Sequence, residues 1–353
     1  MEIKIQLSEN LKQKPDMSNL GFGKYYTDHM FEMDYTRGIG WHDPQIVPYH
    51  DLIMDPASMV LHYGQATFEG LKAYIGKGGE IRLFRPELNF ERLNESNHRL
   101  VIPEIDVDFC VEALKKLVEV EKDWIPKEEG TSLYIRPFII ATEVQVGVHP
   151  SYTYKFMIIL TPVGAYYPEG INPVKIYVED EYCRAVKGGM GYTKTAGNYA
   201  ASLIAQDTAQ KRGYTQVLWL DGVNKEYIEE VGTMNIMFVI DNEIITPALN
   251  GSILPGITRR SALELLKEKG HKVTERKVSI NEIYSASRNG TLQEVFGTGT
   301  AAVISPVGEL FWEGNTIIIN DGKIGPISQL VYDTITGTQS GKIDDAYNWV
   351  TKI

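Results

Sequence analysis

Segments with the period of strands and segments with the period of helices follow one another along this chain without a regular βαβ beat. That succession constrains its fold more than any other feature. Residues 107–124 carry Val107, Val111, Leu114, Val118 and Trp124 at helical spacing, whereas 132–140 and 154–160 are rich in β-branched and aromatic residues. Further on, the pattern predicts a strand at 174–178, a helix near 200–211 stopped by Gly213, and a strand at 216–220. A hairpin over 235–246 turning at Asp241-Asn242 follows, then a helix over 261–269 closed by Gly270. The expected class is α+β, and a doubly wound parallel sheet does not fit.

At 353 residues the chain has room for roughly two domains. The sharpest composition break is GAYYPEGINP, which sets two prolines, two glycines and an asparagine between apolar strands. It predicts a smaller domain over 1–163, an interdomain loop at 164–173 and a larger domain over 174–353. Lys and Arg total 35 against 46 for Asp and Glu, a formal charge of −11 that opposes nucleic acid and anionic lipid. No apolar run approaches a membrane span, and residues 1–20 resemble neither a signal nor a transit peptide. Two cysteines, Cys110 and Cys183, make no disulfide framework, so a cytoplasmic location is expected. The seven histidines show no metal-ligand spacing, and no metal is expected.

Four elements carry candidate chemistry. Lys194, in GGMGYTKTAGNYAAS, is crowded by small residues that would let a flat ligand approach an amine able to form an imine. A solvated loop lysine would read the same way. Glu230, in EEVGTMN, precedes an apolar strand and could hold a proton on a pyridine nitrogen, or serve only as a strand-edge acid. Strand alternation would turn its neighbour Glu229 to the opposite face. In ILPGITRRS, Gly256 precedes Ile257 and Thr258 at a helix start suited to phosphate. The turn FGTGTAAV formally fits a dinucleotide fingerprint, but the VISPV after it reads as strand, so an anion-binding nest fits better than an NAD-dependent oxidoreductase. Arg92 in RLFRPELNFERL suits a phosphate, with Arg82, Arg85 and Arg99 as rivals nearby.

Taken in order, HYGQATFEGLKAY, RLFRPELNFERL, GTSLYIRPF, TPVGAYYP, YTKTAGNYAAS, QVLWLDG, EEVGTMNI, ILPGITR and FGTGTAAV closely resemble the branched-chain amino acid aminotransferases. These are fold type IV pyridoxal phosphate enzymes with two α+β domains and the cofactor between them. The resemblance implies that Lys194 carries pyridoxal 5'-phosphate, that Glu230 meets its ring nitrogen and that Tyr199 reaches its phenolic oxygen. It further implies a phosphate site of Arg92, the Ile257 and Thr258 amides and Thr300, with Arg184 close by. Thr300 and Ala301 would take the substrate carboxylate. Tyr63, Phe68, Tyr134 and Thr233 would line the side-chain pocket, some across a homodimer interface. The Cys-x-x-Cys pair of the mammalian mitochondrial form is replaced here by Ala302 and Ser305, so thiol regulation is not expected there.

The implied activity is transamination between leucine, isoleucine or valine and 2-oxoglutarate by a ping-pong route. D-amino acid aminotransferases and aminodeoxychorismate lyases share the lysine and glutamate, but SLYIRP and GAYYP are branched-chain strings. One pocket must then accept both an apolar side chain and a γ-carboxylate. Arg136, two residues from Tyr134 and on the same strand face, is the candidate cation.

Overall fold

The computed structural model describes residues 1–164 and 171–353. The chain divides into two compact units, one of Met1–Pro168, Thr193–Gly197 and Thr338–Ile353, the other of Glu169–Tyr192 and Asn198–Gly337. The short run with Lys194 and the last residues therefore belong with the first unit, an arrangement that a division at one point in the chain does not provide. Of the loop expected at 164–173, residues 165–170 lie outside the described residues.

The first unit is built on a mostly antiparallel sheet in the order Lys4–Ile5, Gly40–Pro48, His29–Thr36, Thr153–Val163, Ser132–Ala141, Leu71–Ile75, Ile81–Phe84 and Val350–Lys352, with Ala66–Phe68 also paired to Ser132–Ala141. Alternation in Ser132–Ala141 sends Leu133, Ile135, Ile139 and Ala141 into one core with Phe90, Leu93, Leu114 and Leu117 from the helices Pro86–Arg99 and Val107–Val120. Tyr134 and Arg136 occupy the other face. The helix expected over 107–124 ends at Val120, and Lys122–Trp124 forms a 3₁₀ turn. Trp124 is held there by an indole N–H donated to Asp28 at 2.7 Å.

The helix Pro86–Arg99 has proline in its first turn, where the missing N–H costs nothing. Its buried stripe is unusual in being half polar: Asn89, Arg92, Ser96 and Asn97 are buried beside Phe90 and Leu93. Buried polar groups need partners: Asn97 accepts from Thr67 Oγ1 at 2.7 Å, and the other three find theirs in the residues described below.

The second unit holds a mixed sheet in the order Ile228–Val231, Gln216–Leu220, Val174–Glu179, Val303–Trp312, Leu292–Gly299, Asn235–Ile240, Glu243–Pro247 and Val273–Arg276, with Asn315–Ile318 on Val303–Trp312. Three of the pairings are parallel, Gln216–Leu220 with Val174–Glu179, Val303–Trp312 with Val174–Glu179, and Glu243–Pro247 with Val273–Arg276, and the rest antiparallel. The hairpin turns at Asp241 and Asn242 with φ of 52° and 63°, as a two-residue type I′ turn requires. The helix expected near 200–211 starts earlier, as Ala196–Lys211, and the one expected over 261–269 is Ile257–Glu268. Both begin inside motifs read for chemistry instead of periodicity. Thr300, Ala301 and Ala302 join two antiparallel strands, Leu292–Gly299 and Val303–Trp312, so no helix receives a pyrophosphate and the dinucleotide reading is removed.

Among the described residues no helix is long and apolar enough to cross a membrane. No group of three metal-ligating side chains could hold an ion among them.

Candidate active site

In the first unit the site grows from the backbone around Lys194. Its N–H donates to Ser96 Oγ at 2.9 Å, and its carbonyl accepts from the Phe68 N–H at 3.0 Å. Thr193 and Thr195 on either side are buried, and Thr195 bridges Thr67. The main chain is thus pinned on both flanks while the side chain stays half-buried, its Nζ 4.9 Å from the Phe68 ring centre.

Glu69, from the FEG of the sequence, is the group that reading the motifs missed. It is fully buried, and both its oxygens are engaged: Arg92 Nε and an Arg92 amino group donate at 2.8 and 2.9 Å, Asn89 at 2.7 Å, and the Gly70 N–H at 3.1 Å. Burial alone would push its carboxyl upward. The opposing charge and hydrogen bonds of Arg92, the charge of Lys194 and the Asn89 bond outweigh that and hold it below the usual carboxylate value. Among the four arginines of this stretch, Arg92 is therefore the one held by a fully buried carboxylate.

Tyr134 and Arg136 share a face as expected, and Arg136 donates to the Tyr134 hydroxyl at 3.1 Å. The guanidinium lies 4.8 Å from the Phe68 ring centre and 5.4 Å from that of Tyr134. Its Nε is buried with no hydrogen-bond partner, and no carboxylate pairs with it among the described residues. Gly70 is required here, because a Cβ on it would stand 2.0 Å from the Tyr134 hydroxyl. Phe22, unremarked in the sequence, packs edge-on against Tyr134 with ring centres 5.0 Å apart. Lys72, opposite Tyr134 in the strand register, is buried, and loss of hydration pushes it down to about 8. Tyr63 stands exposed at the end of the short helix Met59–Tyr63.

In the second unit Glu230 is the centre. Its Oε1 accepts from the Leu254 N–H at 2.9 Å and from Asn235 Nδ2 at 3.2 Å, and its Oε2 lies 2.9 Å from Arg184 Nε. Arg184 also donates to the carbonyls of Gly191, at 3.0 Å, and Ser252. The resemblance sets Arg184 near the phosphate; in the structure its guanidinium lies against Glu230 and two carbonyls. Asn235 links Glu230 to the helix start, since a Cβ on Gly256 would meet its Oδ1 at 2.0 Å. Beyond Gly256, the buried Ile257 and Thr258 open the helix Ile257–Glu268, where first-turn amides have no acceptor within the helix. Thr300 and Ala301 are half-buried in their turn, Thr233 is exposed in the turn closed by Val231 and Met234, and Tyr199 is half-buried on Ala196–Lys211.

The expectation that Glu229 and Glu230 face opposite ways is wrong. Trp219 pairs with Glu230 but Leu220 pairs with Ile228, so Glu229 is the extra residue of a β-bulge. Both carboxylates are buried at 3% exposure, and both reach the 250–254 segment.

A buried, charge-supported carboxylate and a glycine-started helix N-terminus are the donor set that a pyridoxal phosphate ring and phosphate need, so the residues fit the cofactor. The family description "Amino-transferase class IV" matches residues 66–310. Branched-chain-amino-acid aminotransferase 2 of Bacillus subtilis is 60% identical over 351 residues, 99% of this chain and 97% of that one. The solved branched-chain amino acid aminotransferase of Escherichia coli superposes with a TM-score of 0.77 at 29% identity, covering 92% of this chain and 98% of that one. A T.th. branched-chain amino acid aminotransferase, complexed with N-(5'-phosphopyridoxyl)-L-glutamate, gives 0.73 at 25% identity over 90% and 97% of the two chains. With its two mixed sheets and its cofactor-binding donor set, the chain belongs to the class IV aminotransferases and, among them, to the branched-chain amino acid aminotransferases.

Proposed function

We propose that this chain moves an amino group between leucine, isoleucine or valine and 2-oxoglutarate, as a cytoplasmic homodimer using pyridoxal 5'-phosphate. Bound, that cofactor supplies an aldehyde carbon that takes up the amino group and a ring that draws electrons from the substrate Cα. Lys194 Nζ carries the cofactor, and once released it is the base that shifts the proton between the substrate Cα and the cofactor carbon C4′. Its pinned backbone leaves the side chain as the moving part. Glu230 keeps the ring nitrogen protonated, and Tyr199 reaches the phenolic oxygen. The Ile257 and Thr258 amides, Thr300 and the Glu69-oriented Arg92 hold the phosphate. Thr300 and Ala301 take the substrate carboxylate. Tyr63, Phe68, Tyr134 and Thr233 exclude water around the side chain.

The observation that carries the dual specificity is Arg136, whose Nε is buried and unbonded and which no acid neutralises among the described residues. Burying the γ-carboxylate of glutamate without a cation would cost several kcal/mol. Stacked on Phe68 and Tyr134, Arg136 can present charge to that group and aromatic surface to a leucine side chain. Arg136→Met is expected to raise KM for glutamate and 2-oxoglutarate roughly 10- to 100-fold, the ~1.5–3 kcal/mol of a charged hydrogen bond. Leucine should change much less. Equal losses in the two single-turnover half-reactions would remove Arg136 from γ-carboxylate recognition.

Support for the homodimer comes from a patch on the first unit where Ile53, Leu61, Tyr63, Val144, Val146 and Val148 are exposed. The bridge between Ser58 and Val144 joins the two segments. Apolar surface grouped in this way marks a protein interface. Sedimentation should give twice the 39.7 kDa chain mass, and a species at 39.7 kDa at assay concentration would refute the dimer. For the cytoplasm the support is two free cysteines, with cell fractionation as the check.

A further inference from the structure

The bulge that turns Glu229 inward gives it a task distinct from that of Glu230. Glu229 Oε1 accepts from Ser252 Oγ and from Asn250 Nδ2 at 3.3 Å, which holds the Asn250–Ser252 turn. The Ser252 carbonyl in turn accepts from Arg184, and the Gly191 carbonyl accepts from the same amino nitrogen at 3.0 Å. The approach is possible only because residue 191 is glycine, where a Cβ would lie 2.1 Å from the Ser252 oxygen.

These two carbonyls decide how Arg184 meets Glu230. Its Nε sits 2.9 Å from Glu230 Oε2, close enough for the charge to be felt, yet the N–H is not aimed at that oxygen and makes no hydrogen bond. An arginine free to rotate would donate squarely to the carboxylate. A squarely bonded carboxylate is a weaker base, and a weaker base holds less of a proton on any nitrogen that faces it.

We propose that Glu229 is a positioning residue: through Ser252 it keeps Arg184 off the axis of Glu230, and so preserves the basicity with which Glu230 holds the proton of the cofactor ring nitrogen. The proposal rests on the reading of Glu230 as that nitrogen's partner. It requires the oxygen of Glu229 that bonds Ser252; the other oxygen, Oε2, is buried with no partner.

The test uses the holoenzyme and three variants. Ser252→Ala deletes the bonded hydroxyl with little change in volume, Glu229→Ala deletes the acceptor, and Glu229→Gln keeps an acceptor oxygen. The readouts are the pH midpoint of the visible absorption of the bound cofactor, melting temperature, and kcat and KM for leucine. A ring nitrogen that loses its proton makes the lysine–cofactor linkage harder to deprotonate. Ser252→Ala and Glu229→Ala should therefore move the midpoint upward by about one pH unit and lower kcat about tenfold, with KM nearly unchanged. Glu229→Gln should stay close to the parent enzyme in all readouts. A midpoint unmoved in Ser252→Ala, whatever its melting temperature, overturns the proposal, and so does a Glu229→Gln enzyme as impaired as Glu229→Ala. Glu230→Gln separates the two levels. If it shifts the midpoint while Ser252→Ala does not, only the role of Glu229 fails, whereas an unmoved Glu230→Gln removes the reading beneath it.

Discussion

Lys194→Ala is expected to abolish transamination, with a loss of roughly 10²- to 10⁴-fold from the missing proton transfer alone. The covalent attachment disappears as well, so the two losses compound. The fold should survive, because the contacts that fix this segment come from the backbone N–H and carbonyl of residue 194 and from the buried Thr193 and Thr195. An alanine keeps them all. Cofactor should still bind through its phosphate, without the visible band of the lysine linkage. Borohydride reduction and peptide mapping of the parent enzyme should label Lys194 only. A labelled peptide elsewhere, or activity within tenfold of the parent, would refute the assignment.

Glu230→Gln should lower kcat about 10³-fold, on the order of 4 kcal/mol, while KM for leucine and the cofactor content change little. The amide fills the same space and can still accept from the Leu254 N–H, but it cannot hold a proton on a facing nitrogen. It also leaves Arg184 without its counter-charge in a buried place, so a lower melting temperature should accompany the loss. A kcat within about threefold of the parent enzyme would mean that another group meets the ring nitrogen.

The parts of this site that were legible in the sequence are those whose chemistry lies within a few residues. Lys194 stands among small residues, Ile257 and Thr258 follow a glycine at a helix start, and Tyr134 and Arg136 share a strand face because alternation there is unbroken. What was not legible depends on long-range pairing. Nothing in EEV announces that Leu220 will skip Glu229 and pair with Ile228, and one skipped residue reverses the side-chain direction that alternation predicts. That Arg184 reaches Glu230 and the Ser252 carbonyl was not legible, because its neighbours in sequence do not reveal Ser252, 68 residues away. Glu69 and the polar stripe of Pro86–Arg99 left a usable trace. Asn89, Arg92, Ser96 and Asn97 recur at helical spacing where a core helix would carry apolar groups, and such a stripe has to be answered by buried partners. In the fold, the strands expected at 174–178 and 216–220 and the hairpin over 235–246 were read to within a residue, because their apolar runs are short and bounded by turn formers, whereas Val273–Arg276 and Asn315–Ile318 were not read. The joining of Val350–Lys352 to the first sheet has no local signature at all.

That last strand bears on the order in which the chain can be completed as it is made. Val350–Lys352 pairs with Ile81–Phe84, Trp349 accepts from the Arg85 N–H at 2.7 Å, and the buried Arg82 donates to the carbonyls of Thr338 and Gln339 at 2.9 and 3.1 Å. Every one of these partners leaves the ribosome after the residues of the second unit. The first unit begins synthesis first yet finishes last, and through that interval Ile81–Phe84 presents an open hydrogen-bonding edge to whatever passes. The edge is short, and Arg82 sets a charge in its middle that stays without its carbonyl acceptors until the tail arrives. The arginine that later fastens the closing segment is thus also a charged residue on that edge while it is open, the kind that discourages edge pairing.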